Sequence, residues 1–140
     1  RRHRIMASEQ FEKGLQIRKE VLGEEYVDAA LKTADDFNRD FQKLVTEYCW
    51  GGSWGRGVLS KQQRSILNLG MLAALNRPHE FKLHLIGALN NGVSLYEIRE
   101  IMIQISIYCG VPAAIEAFRI AREVFKEQDI DVSRIDSERT

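Results

Sequence analysis

The chain has 140 residues, and its 20 Lys plus Arg are balanced by 20 Asp plus Glu, for a formal net charge of zero. That balance speaks against a nucleic-acid binder, which carries a basic excess or stripe. The length suits one domain able to bury a core without staples, and no uncharged apolar run of about 18 residues or apolar leader stretch points to a membrane span or a signal peptide.

Few β-branched runs, only two prolines and abundant Ala, Leu, Glu and Lys predict an all-α fold, and no strand is read. Arg1-Arg2-His3-Arg4 reads as part of a disordered tail over residues 1–7, followed by one helical domain over 8–128 and a polar, frayed tail over 129–140. A first helix is expected from Ser8 to Leu22, closed by Gly23, and a second from Glu24 to Thr33. A third, from Asp36 to Tyr48, carries Phe37, Phe41, Leu44, Val45 and Tyr48 at helical spacing. The stretch Cys49-Trp50-Gly51-Gly52-Ser53-Trp54-Gly55-Arg56-Gly57 reads as a loop, with glycines set among both tryptophans of the chain.

Ser60-Lys61-Gln62-Gln63 has the pattern of a capping box. It opens a helix through Ile66, Leu67, Leu69, Met71, Leu72 and Leu75 that is apolar nearly all round and is expected at the centre of the core. Pro78 suits the first turn of the next helix, which ends near Gly92. Ser94-Leu95-Tyr96-Glu97 is a second capping box, starting a helix to Tyr108 that Gly110-Val111-Pro112 breaks. The last helix carries Ala114, Ala117, Phe118, Ala121 and Phe125 on one stripe. Apolar residues on more than one face of the helices around Ile66–Leu75 and Ile98–Ile107 imply burial against other subunits, so a homo-oligomer is expected.

Chemistry concentrates on the helix after Pro78. Phe81, Leu85, Ala88 and Leu89 form a core stripe, and beside it Glu80, His84, Gly87 and Asn91 share one face. Glu80 one turn before His84 suits an oriented general base or acid, and Gly87 leaves room for a small ligand. The same spacing also describes an ordinary i,i+4 surface pair, which spacing alone favours. A zinc site lacks ligands: His3 lies in the tail, and His79 points away from Glu80 and reads as solvated. Arg64, early in a very apolar helix, suits either a two-pronged grip on a carboxylate or surface solubility. Arg56 stands beside it as a second candidate; Arg18 and Arg119 have weaker claims. Tyr108 and Cys109 read as packing residues. Cys49 and Cys109 lie far apart without a CxxC, which fits a reduced cytoplasmic protein better than a disulfide framework.

Along the chain, Gly14-Leu15, Arg18, Val21-Leu22-Gly23, Tyr48-Cys49-Trp50-Gly51, Trp54-Gly55-Arg56, Arg64-Ser65, Met71-Leu72-Ala73-Ala74-Leu75, Glu80, His84, Asn91-Gly92-Val93, Glu97-Ile98-Arg99-Glu100, Tyr108 and Gly110 through Ala114 resemble the γ-carboxymuconolactone decarboxylases. The resemblance runs from about Phe11 to Val124. It departs at Gly57-Val58-Leu59, at Gln63, and at Cys49 and Cys109. It implies a helical bundle of the alkylhydroperoxidase-like type, a hexamer or trimer, and cofactor-free, metal-free decarboxylation of a carboxylated lactone in aromatic (protocatechuate, β-ketoadipate) catabolism. The peroxidases of that superfamily place two cysteines where this chain has Arg77 and Glu80, and a glutamate where it has Ser65, so thiol peroxidase chemistry is not expected. The implied roles are His84 as proton donor or carbonyl polariser, Glu80 as its orienter, Arg56 and Arg64 as carboxylate ligands, and Trp50 and Trp54 as pocket walls. A related lactone or keto-acid enzyme and a non-catalytic oligomeric scaffold are the alternatives.

Overall fold

A computed structural model describes residues 8–138. The described residues are helical, with no strand among them, and they fall into two compact units that meet in sequence at Lys61 and Gln62. The terminal stretch Arg1-Arg2-His3-Arg4, read as a tail, lies outside the described residues.

In the first unit, α1 spans Glu9–Leu22. Its N-cap Ser8 accepts a hydrogen bond from the Phe11 amide, and it stops at Gly23, whose φ of 93° few other residues adopt at low cost. Helix α2, Glu24–Lys32, follows directly. Helix α3 is shorter than expected, Arg39–Leu44. Beyond it the backbone does not open into the predicted loop: Val45–Trp54 continues as a π-helix. Its wider i→i+5 turn brings residues one turn apart over one another, and Trp50 and Trp54 stack at 4.8 Å between ring centroids, both buried.

Glycine makes this packing possible. A Cβ on Gly14 of α1 would stand 1.9 Å from the Thr46 carbonyl oxygen, and one on Gly51 would stand 2.5 Å from that of Gln10. The glycines that looked like loop punctuation therefore mark a close approach of two helical backbones.

The second unit is built from α4, Lys61–Ala74, α5, Pro78–Asn90, α6, Leu95–Tyr108, and α7, Val111–Glu127. The predicted Ser94–Glu97 capping box is present in both directions. The core joins Leu69, Phe81, Leu85, Ala88, Ile98, Met102, Ile105, Ala117, Ile120 and Val124. Lys82 of α5 ties to Glu123 and Glu127 of α7 at 2.9 and 3.0 Å.

Three expectations change here. Helix α4 is not central: only Ser65 and Leu69 are buried, while Leu67, Met71 and Leu75 face outward. A helix with apolar residues all round exceeds what one unit of this size can enclose. On α7 the buried stripe is Ala114, Ala117, Ile120, Ala121 and Val124, and Phe118 is 40% exposed. The C-terminal segment expected to fray instead forms a 3-10 helix, Val132–Glu138. Residues three apart eclipse in such a helix, so Val132 and Ile135 both line an apolar cavity of about 230 Å³ with Ile98, Met102 and Phe125, while Asp136 pairs with Arg99 at 2.8 Å.

Candidate active site

Helix α5 carries its two stripes as predicted. Phe81, Leu85 and Ala88 are buried, and His84 on the neighbouring stripe is half-buried. Glu80 is exposed one turn earlier. Burial pushes the His84 pKa below its ordinary 6.5, and the charge of Glu80 opposes that shift. Desolvation acts against the imidazolium, and the carboxylate favours it. The first effect is larger, so the neutral imidazole is favoured over the charged ring more than in an exposed histidine.

Helix α4 supplies the groups facing this stripe. Asn68 Nδ2 lies 3.5 Å from His84 Nδ1, at the long limit of a hydrogen bond. Two turns on, at the C-cap of α5, Asn91 Nδ2 donates to the hydroxyl of fully buried Ser65 at 2.9 Å. Ser65, Asn68, His84 and Asn91 thus form a polar seam between two apolar helices. Asn68 escaped the sequence reading because Ile66, Leu67 and Leu69 mask it as part of a core helix; a lone amide in such a run was the available signal.

Arg64 is half-buried on the first turns of α4, with its Nε shielded from solvent. Ser65, where the peroxidases carry a glutamate, is committed to Asn91, and Cys49 and Cys109 are both free thiols. His79 is exposed on the first turn of α5, as expected. Among the described residues no group of three or more His, Cys, Asp or Glu side chains is arranged to hold a metal ion. Tyr108, expected to pack, is 79% exposed, and Cys109 caps α6. Arg119 is engaged by Glu116 and Glu123 on its own helix.

Arg56, Trp50 and Trp54 belong to the first unit. Arg56 is exposed just beyond the π-helix, whereas the two indole rings are buried against each other. Within its own unit the structure therefore brings together the two tryptophans, and in the other unit His84 with groups on α4.

The fold and site define an all-helical protein with a polar seam around His84, and the sequence comparisons place it more closely. The profile described as "Carboxymuconolactone decarboxylase family" matches residues 39–123. The chain is 37% identical over 130 residues to a 4-carboxymuconolactone decarboxylase of Acinetobacter baylyi, covering 93% of this chain and 97% of that protein. It is 43% identical over 117 residues to a nitrosuccinic acid decarboxylase of Metarhizium robertsii, covering 84% of this chain and 82% of that protein. The chain belongs to the carboxymuconolactone decarboxylase family.

Proposed function

We propose that this chain is a carboxy-lyase that converts 4-carboxymuconolactone to 3-oxoadipate enol-lactone, as part of aromatic-acid catabolism. The observation that carries the substrate is the likeness to the Acinetobacter enzyme along nearly the full length of both chains. The chemistry needs no external electron sink. When CO₂ leaves, the electron pair of the broken C–C bond passes through the ring double bond to the lactone carbonyl, and carbon is then protonated. The protein has to hold the carboxylate, stabilise the oxyanion and deliver a proton.

Neutral His84 suits the second task. With the Asn68 amide donating to Nδ1, the imidazole proton belongs on Nε2, which in this reading is the donor for the developing oxyanion. One such donor is worth about 3–4 kcal/mol of barrier. Once the oxyanion has formed, the charge of Glu80 favours uptake of a solvent proton by the ring, and the imidazolium so made hands that proton to carbon and returns to its neutral form. Arg64 and Arg56 are the carboxylate ligands in this reading, and the buried Trp50–Trp54 pair keeps water from its part of the protein. The enzyme works as a homo-oligomer that covers the apolar faces of α4 and α6, and it acts in the cytoplasm.

The test is CO₂ release from 4-carboxymuconolactone generated in place, with a chelator present. Release that survives the chelator and is lost in Glu80→Gln and His84→Ala supports the assignment. No release from a folded oligomer rejects this substrate. A second reading has its own support in the nitrosuccinic acid decarboxylase, which matches at higher identity over a shorter span. A nitro group beside a carboxylate is likewise an internal electron sink. Turnover of nitrosuccinate in place of the lactone would select that reading.

A further inference from the structure

Arg18 lies on α1 and is only 5% exposed. Its Nη1 donates to Gln42 Oε1 at 3.0 Å and to Thr46 Oγ1 at 3.3 Å, and Thr46 turns its own hydroxyl to the Gln42 carbonyl at 2.8 Å. Both partners of the guanidinium are neutral. Its Nε is shielded from solvent with no hydrogen-bond partner, and no carboxylate pairs with it among the described residues. A buried charge without a counter-charge is costly, and replacing such a group by a packed apolar side chain is often neutral or stabilising. Burial lowers the Arg18 pKa, with Tyr26 and Cys49 only partly offsetting it, yet a guanidinium stays charged under all ordinary conditions.

The orientation of the unused donors is specific. Nη1 is the nitrogen already occupied. Nε and Nη2 share the opposite edge of the planar group, and two parallel N–H bonds from one edge are the geometry that grips a carboxylate. Glycines at positions 14 and 51 hold α1 and the π-helix close together, so the guanidinium is fixed in place before any ligand arrives.

We infer that Arg18 is a buried carboxylate-binding site, its Nε/Nη2 edge taking one carboxylate of a small organic acid while Gln42 and Thr46 hold Nη1. That the acid is the enzyme's own substrate rests on the function proposed above; that the edge takes a carboxylate does not. The same chemistry has a second source, an Asp or Glu side chain of another copy of the chain.

The experiment reads binding and not turnover, so its failure leaves the decarboxylase assignment standing. The Arg18 Nε–H resonance of the ¹⁵N-labelled protein, identified by its loss in Arg18→Lys, is followed while succinate is added, with sodium chloride at matched ionic strength as control. A saturable downfield shift with succinate alone is expected. Read from the rise in melting temperature with added succinate, binding should weaken about 10-fold or more in Arg18→Lys, which keeps the charge and loses the fork. Arg18→Met should melt at the wild-type temperature or above and lose any stabilisation by succinate. No saturable shift in the wild type, or an equal succinate response in Arg18→Met, overturns the site. A resonance already downfield without succinate that moves on dilution, with a smaller sedimentation coefficient for Arg18→Met, overturns the small-acid assignment in favour of the second copy. The wild-type titration stands even if Arg18→Met does not fold.

Discussion

At His84 burial and a nearby carboxylate pull in opposite directions, and burial prevails. The active form in the proposed chemistry is the neutral ring, so kcat/KM should fall on the acid side with a midpoint below 6.5, the ordinary histidine value. The same shift bears on stability. Protons bind the unfolded ring more tightly, so the stability gained from a neutral His84 is present above that ordinary value and declines as pH falls below it. His84→Ala should lower kcat by about 100-fold or more while the far-ultraviolet spectrum stays that of the wild type. Asn68→Asp replaces a donor at Nδ1 by an acceptor; it should move the acid limb to higher pH and shift the ring proton to Nδ1, visible in the histidine ¹⁵N shifts. Glu80 and His84 were legible in the sequence because their i,i+4 spacing survives in any straight helix. Asn68 and Ser65 were not, because their role depends on which face of α4 meets α5, and a helix apolar nearly all round does not declare its face.

Among the elements, the ends were easiest to read. Ser8, Gly23 and the Ser94–Glu97 box are local signals, and each helix starts or stops where they say. The π-helix was hidden, because its wider turn follows from packing against α1 and leaves no periodic mark in the residues. Gly51 and Gly55 have the composition of a loop, and only the structure shows why side chains are excluded: a Cβ on Gly51 would meet the Gln10 carbonyl of α1, and one on Gly55 the Gly51 carbonyl one turn back. Gly14→Ala should therefore destabilise the protein by about 1–3 kcal/mol, read as a lower urea midpoint, since its Cβ would meet backbone that cannot yield cheaply. An alanine at Gly57, where a Cβ meets nothing within 4 Å, should change little.

For the whole molecule, the unmatched quantity is apolar surface. Leu67 and Met71 of α4, Leu75 just beyond it, and Ile103 and Ile107 of α6 are all at least 45% exposed, more than a monomer of this size normally leaves in water. Ile107→Glu should reduce the sedimentation coefficient without loss of helix content; an unchanged coefficient would count against a subunit contact at this face. The C-terminal 3-10 helix was missed for a related reason: two apolar residues in a polar stretch read as a tail until the cavity they line is seen. The stacked indoles have a consequence of a different kind. Both tryptophans of the chain sit in the first unit, so intrinsic fluorescence is a private reporter for that unit, while circular dichroism sums over both. If the units melt as one, the two signals will trace a single curve; if they separate along it, the chain holds two cooperative bodies, and the light emitted will belong to only one of them.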